Sequence, residues 1–195
     1  LTVKNTAGES KREITVSKYN GELTTQWDFD SVSNGKITDS LGTQRTITLY
    51  GNAKVEDGSV YVPNTSKSIN SKVHIANKAS SDLAFTKTIE IDLKVKFTES
   101  PTDREQVIIK KYPISSGYVE YGLRVNKEGK IGLCWNNNWY SGNALEWSAD
   151  TWYRLRVCYN GHTITFMRDG ESCGAVQNTE SATQVGTPLI IGTNA

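Results

Sequence analysis

Residues 88–97 read TIEIDLKVKF, and two kinds of side chain alternate along the whole stretch. Ile89, Ile91, Leu93, Val95 and Phe97 fall on one side, Thr88, Glu90, Asp92, Lys94 and Lys96 on the other. A period of two is what a β-strand produces when it buries one face and wets the other. The pattern returns at 118–125, YVEYGLRV, with Val119, Tyr121, Leu123 and Val125 inward and Glu120 and Arg124 outward. It returns again at 152–159, WYRLRVCY, with Tyr153, Leu155, Val157 and Tyr159 inward and Arg154 and Arg156 outward. One-sided strands of this kind belong to antiparallel sheets.

Turn chemistry separates the runs. Asn160-Gly161 and Asp169-Gly170 each supply two residues that tolerate positive φ, the signature of a tight hairpin. Three successive strands are therefore expected near 152–159, 162–168 and 171–176. Two-residue loops would set Leu155 opposite Phe166 and Phe166 opposite Cys173 on the core side, with Cys158 opposite Thr163 outside. Shorter strands are expected near 12–17, 25–30, 45–50, 59–62, 72–76, 106–111, 130–135 and 188–191. Such a series of short strands predicts an all-β fold, a two-sheet antiparallel sandwich or jelly roll.

The chain of 195 residues fits one domain. Apolar residues at 36% sustain a core, but no apolar run is long enough to span a bilayer, so no membrane insertion is expected. A net charge of +1 creates no global field toward nucleic acid or anionic lipid, and no nucleic-acid partner is expected. Cys134, Cys158 and Cys173 lie far apart, and the histidines are His74 and His162, which leaves no usual zinc spacing. An odd count leaves at least one thiol unpaired or bonded to another chain. By strand phase Cys134 and Cys158 both point outward, so they are the expected bridged pair if any bridge forms, with Cys173 a buried free thiol. Leu1 follows neither an initiator Met nor a charged-then-apolar leader. The abundance of Ser, Thr, Asn and Tyr goes with an extracellular, cell-surface or virus-particle location.

The order of segments resembles the laminin-G-like, concanavalin A-type jelly-roll superfamily, in particular the bacterial and phage modules related to pentraxins. The matching pieces are QWDFD and DSLG, GSVYVP, TIEIDLKVKF, YGLRVNKEGKIGL, DTWYRLRVCYNGHTITFMRDG and PLIIGTN, which cover about Gln26 to Asn194. The resemblance implies a domain over 23–195, with 1–22 an N-terminal extension or extra strand containing REITV. It also implies a further closing strand after I-I-G, whereas the sequence stops at Ala195. A sheet missing a strand exposes unpaired backbone and invites another strand, so the N-terminal stretch is expected to fill the gap in its own chain or in a neighbour's. Calcium is common in the superfamily and is the one cofactor the resemblance suggests. Asp28, Asp30, Asp39 and Asp57 lie in early loops and strand ends, but turn and capping duty is the commoner use of such residues.

Some enzymes of the superfamily cleave β-glucans with carboxylates spaced Glu-x-Asp-x-x-Glu along one strand. Glu90 and Asp92 begin that spacing, but the third position is Val95, so both are read as solvated carboxylates balanced by Lys94 and Lys96. There is no Gly-x-Ser-x-Gly elbow, phosphate loop or recognisable Cys/His pair, and no catalysis is expected. Asn64-Thr65-Ser66 matches a glycosylation acceptor, meaningful for a secreted eukaryotic chain.

The segment 134–152, CWNNNWYSGNALEWSADTW, carries Trp135, Trp139, Trp147, Trp152 and Tyr140 among Asn, Ser and Gly. Aromatic faces against sugar C–H surfaces, with amides and hydroxyls at the edges, make a carbohydrate site. Trp135 continues an inward phase and is expected in the core, and Trp152 is expected to pack at a strand start. Trp139, Tyr140 and Trp147 are the expected exposed aromatics, with Asn137, Asn138 and Asn143 as polar partners and Asn136 beside them. Outward Glu120, Arg124, Arg154 and Arg156 could line a polar face, although solvated sheet surface is the commoner role. The expectation is a non-catalytic binding module, carbohydrate-binding or adhesive, for a glycan or protein ligand. The alternative is a structural assembly protein, a virion decoration or filament subunit, that forms a homo-oligomer through an open sheet edge.

Overall fold

The computed structural model describes residues 14–17, 23–30, 32–63, 71–76, 78, 80–112 and 117–193. Two antiparallel sheets face each other, their strands numbered along the chain. The six-stranded sheet runs in the order β15 (Glu171–Gln177), β14 (Thr163–Arg168), β13 (Trp152–Tyr159), β8 (Ile89–Lys96), β1 (Ile14–Ser17), β2 (Leu23–Trp27). The eight-stranded sheet runs β12 (Asn138–Ala144), β11 (Lys130–Trp135), β10 (Tyr121–Val125), β9 (Gln106–Lys111), β16 (Leu189–Thr193), β7 (Lys72–Ile75), β4 (Gln44–Tyr50), β3 (Lys36–Thr38). A small hairpin joins β5 (Lys54–Glu56) to β6 (Ser59–Tyr61). The fold is the all-β sandwich that the alternation predicts.

The inward side chains of the three deciding strands meet between the sheets. Ile89, Ile91 and Leu93 of β8 and Leu155 and Val157 of β13 share one buried core with Tyr121, Leu123, Val125, Ile131, Leu133 and Trp135 of the opposite sheet. Each such side chain contributes roughly 1.5–3 kcal/mol by leaving water. Trp135 meets Tyr159 edge-on at 5.0 Å, which locks the two sheets at one end.

The stretch REITV places β1 inside a sheet rather than beside it. Ile14, Thr15, Val16 and Ser17 pair with Leu93, Asp92, Ile91 and Glu90 of β8, and the same four residues pair with β2 on the other flank. Ile14 and Val16 are buried. The rest of 1–22 lies outside the described residues, as does Asn64-Thr65-Ser66. The final strand β16 is also internal, between β9 and β7.

The hairpin register departs from the expectation by two residues. Leu155 faces Arg168, Val157 faces Phe166 and Cys158 faces Thr165. The cause is the Asn160 side chain, whose Oδ1 accepts the backbone N–H of His162 and of Thr163 and so makes a longer turn than a two-residue Asn-Gly loop. A shift of two preserves every face, and Phe166 and Cys173 still share the core. Asp169 and Gly170 both take positive φ, as a two-residue turn requires.

The expected Cys134–Cys158 bridge is not formed. Cys134 belongs to β11 and Cys158 to β13, on the outward faces of opposite sheets, so the whole core separates them. All three cysteines are free and buried. Burial pushes the Cys134 and Cys158 thiols up to about 12, which keeps both protonated at neutral pH.

Glu120, expected outward, is buried because the segment 178–188 folds across that end of the sandwich. Its Oε1 accepts the N–H of Val185 and Thr187 and the Thr187 hydroxyl at 2.9–3.3 Å. Beside it the buried Lys111 donates from Nζ to the carbonyls of Ser80 and Thr187. Two ionisable side chains thus fasten one loop to the eight-stranded sheet.

Candidate functional site

The hairpin from β11 to β12 turns on Asn136 and Asn137, both at positive φ, 51° and 68°. Asparagine tolerates that region nearly as glycine does, so Asn-Asn here acts as Asn-Gly would. Without a glycine the pair carries no plain turn signal, and β12 is not among the expected strands. Alternation along β12 sends Trp139 outward opposite Cys134, and Tyr140 toward the core side opposite Leu133.

The sequence-predicted residues therefore occupy three places. At the turn, Asn137 Oδ1 accepts the Val119 N–H, and Asn136 Oδ1 accepts the Tyr118 hydroxyl and the Thr183 N–H. Asn138 Nδ2 and the Tyr140 hydroxyl both donate to Glu180 Oε2 at 3.3 Å, while Trp135 Nε1 and the Tyr159 hydroxyl donate to the Glu180 carbonyl. Asn137, Asn138 and Tyr140 thus gather at one end, around a loop glutamate that sequence patterning does not mark. Asn143 is exposed near the other end of β12, against Gly174.

Trp147, expected to be exposed, is a core residue. Its indole N–H donates to the Gly129 carbonyl at 2.8 Å, and its ring meets Tyr153 at 4.9 Å and Phe97 at 5.7 Å, both edge-on. The loop 145–151 folds inward there because the bulky indole finds an aromatic corner and a carbonyl for its one donor. Trp152 reverses the opposite expectation: it is 37% exposed, with Lys96 Nζ 5.4 Å from its ring centre. At the first position of β13 it takes the outward phase.

The third place is the outer face of the eight-stranded sheet, where Trp139 lies. The register sets Trp139, Cys134, Gly122 and Lys110 in one row across β12, β11, β10 and β9. Arg124 and Gly132 stand opposite one another in the next row. The Arg124 guanidinium lies over the Trp139 ring, 3.9 Å from its centre, and its Nη1 donates to Glu105 at 2.8 Å. Lys110 Nζ sits 4.2 Å from the centre of the Tyr112 ring. A Cβ at Gly122 would come 3.2 Å from the Ile109 carbonyl and 3.4 Å from Lys110 Cγ, and one at Gly132 would come 3.1 Å from Ser141 Oγ. Gly122 and Gly132 are both buried, so the stems of Lys110 and Arg124 lie close over the glycine backbone, on the same face as Trp139 and Tyr112. The buried Cys134 thiol lies beneath both cations, which act on it electrostatically.

The carboxylates that suggested glucan cleavage are engaged elsewhere. Asp92 receives Arg154 through Nε at 2.8 Å and Nη2 at 2.6 Å, and Glu90 receives Arg156 through two bonds of 3.1 Å. Their partners are these β13 arginines, not Lys94 and Lys96, and each guanidinium reaches its carboxylate diagonally: Arg154, opposite Lys94, reaches Asp92, and Arg156, opposite Asp92, reaches Glu90. The Cys158 thiol also donates to Glu90. The early aspartates have local roles: Asp39 Oδ1 accepts the N–H of Leu41 and Thr43 and its Oδ2 the Thr25 hydroxyl, and Asp28 accepts the Asp30 N–H. Asp57 turns β5 into β6 at positive φ, and with Asp30 it lines an open cleft that includes Phe29, Val32, Val55 and Glu56. Among the described residues no group of three or more His, Cys, Asp or Glu side chains is placed to hold a metal ion.

Comparison with known proteins sets this geometry in context. Residues 70–195 match the model of the concanavalin A-like lectin/glucanases superfamily. No curated protein sequence matches the chain. Among solved structures, domain 4 of an extracellular arabinanase from Geobacillus stearothermophilus, in complex with arabinotriose, is similar with a TM-score of 0.57 at 12% identity, over 95% of this chain and 85% of that one. The receptor-binding domain of botulinum neurotoxin mosaic serotype C/D is similar with a TM-score of 0.57 at 15% identity, over 97% of this chain and 44% of that one, so this chain spans less than half of that domain. A chain solved in work on endo-acting O-glycanases of human gut bacteria is similar with a TM-score of 0.51 at 14% identity, over 86% of this chain and 83% of that one. At such identities the likeness is one of fold.

Proposed function

We propose that this chain, which belongs to the concanavalin A-like lectin/glucanases superfamily, is a non-catalytic module that binds glycans on the outer face of its eight-stranded sheet. The observation that carries the reading is the half-buried Trp139 indole, held on that face by the Arg124 guanidinium 3.9 Å from its centre. An aromatic ring fixed in place loses little entropy on binding and offers its apolar surface to the C–H face of a sugar. Tyr112, Ser141, Glu105 and Lys110 supply hydroxyls and charges at the edges. The turn residues Asn137 and Asn138, with Tyr140 and Glu180, frame the top of the same hairpin, and Asn143 its lower end. Trp147 enters this reading only as the packing under that end. The arginine-bound state of Glu90 and Asp92 supports a binding rather than a cleaving role.

The arabinanase domain, which shares the fold and was solved with a bound oligosaccharide, supports a glycan as the ligand and a secreted or surface protein as the setting. Assembly by strand donation finds less support, since β1 already sits between β2 and β8 of its own chain. Titration of tryptophan fluorescence against a panel of neutral and acidic oligosaccharides tests the reading. A saturable response at micromolar to millimolar sugar, lost in Trp139→Ala with the melting temperature unchanged, is expected. No response to any member, or the same response in Trp139→Ala, would overturn it.

A further inference from the structure

The outer face beside Trp139 carries more positive charge than its own residues neutralise. Arg124 is paired with Glu105. Among the described residues no carboxylate lies within ion-pairing distance of Lys110, whose ammonium instead rests on the Tyr112 ring. Lys110 is half-buried, and its stem covers Gly122. Burial pulls the Lys110 pKa below its ordinary value, against Cys134 and Glu105, which act in the opposite sense, and the Arg124 charge lowers it further. The Cys134 thiol beneath offers no compensating anion, because it stays protonated. On the opposite sheet the arginines Arg154 and Arg156 each have a carboxylate of their own. A partly desolvated cation with no carboxylate of its own, on the same sheet face as a second cation, is relieved by an anion arriving from outside.

Resting on the glycan reading above, we propose that the ligand is an acidic glycan, with a carboxylate or sulfate group seated between Lys110 and Arg124 while a neighbouring sugar ring stacks beside Trp139. The planar Arg124 guanidinium is already oriented by Glu105 and the indole, so it needs little further ordering to meet an anion. Lys110 acts as a point charge at the other edge.

Matched pairs of oligosaccharides test this. One pair is a glucuronate-containing oligomer and its carboxyl-reduced form; the other is a sulfated dextran oligomer and its unsulfated parent. At least one acidic member is expected to bind about tenfold or more tighter than its neutral partner, with an affinity that falls as NaCl rises. The pair that discriminates identifies the anionic group. Lys110→Gln is expected to weaken the acidic member about tenfold, Lys110→Arg to retain most of the affinity, and Lys94→Gln, an equal loss of charge on the opposite sheet, to change nothing. Equal binding of both members of each pair, lost in Trp139→Ala, would overturn the acidic specificity and leave the glycan reading standing. An equal loss in Lys94→Gln would reduce the effect to net charge and overturn the site. Absence of binding by every member would overturn both.

Discussion

Val16→Asp leaves the protein largely unfolded or lowers its melting temperature by about 10 °C or more, read by circular dichroism. Val16 is completely buried on β1, between Thr25 of β2 and Ile91 of β8. The substitution removes an apolar side chain from the core and puts a carboxylate there with no partner, a cost on the order of 4 kcal/mol or more. Deleting residues 1–17 has a comparable effect by a different route. It unpairs the inner edges of both β8 and β2, and β8 is the strand on which β13 and half the core are built. Thr15→Asn, on the outward side of the same strand, serves as the control and changes the melting temperature by less than about 2 °C. If the deletion melts like the intact chain, β1 does not hold the sheet together and the strand order β8-β1-β2 is wrong.

Glu120→Ala is expected to cost about 3 kcal/mol, roughly 6–12 °C in melting temperature for a chain of this size. The loss strands the N–H groups of Val185 and Thr187 and the Thr187 hydroxyl, and it leaves the Lys111 ammonium buried without the nearby carboxylate. Glu120→Gln keeps a carbonyl acceptor for the loop but not the charge, so it falls between wild type and alanine. The alanine variant also loosens segment 178–188, and with it the Glu180 contacts to Asn138 and Tyr140, so faster amide exchange at Val185 and Thr187 accompanies the loss. Normal stability with protected amides in Glu120→Ala would show that the loop is held by something else.

Periodicity makes the core of this fold legible in its sequence. The alternation at 88–97, 118–125 and 152–159 places Ile89, Ile91, Leu93, Tyr121, Leu123, Val125, Leu155 and Val157 in one core, and all eight are there. Faces survive even where register does not, because the Asn160 turn moves β14 by two residues and two is the period of a strand. Cross-sheet placement is another matter. Phase says that Cys134 and Cys158 both point outward but not that they point away from each other, and only the topology of the two sheets decides that. Local pattern misplaces Trp147 and Glu120 for a shared reason. Each sits where a loop or a strand end is folded over by a segment distant in sequence, and alternation carries no information about such a cover. Arg124 is legible as an outward polar residue, yet its stacking on Trp139 depends on the register of β10 against β11 and of β11 against β12, including the turn that two asparagines make. Glu180 gives no signal at all, since it lies in an irregular segment and gathers its donors from three different strands.

Nitrogen-15 proton spectra of the tryptophan indoles put the central claim to its most direct test. The five indole N–H groups sit in distinct places: Trp27, Trp135 and Trp147 are buried, Trp152 lies on the six-stranded sheet, and Trp139 lies on the outer face of the eight-stranded sheet. Addition of the oligosaccharide that gives the strongest fluorescence response is expected to shift the Trp139 indole resonance, with the backbone amides of Gly122 and Gly132, in a saturable manner while the Trp27, Trp147 and Trp152 indoles stay fixed. Saturable shifts centred on Trp152, or on residues lining the cleft between Phe29 and Gly58, with Trp139 unmoved, would contradict it.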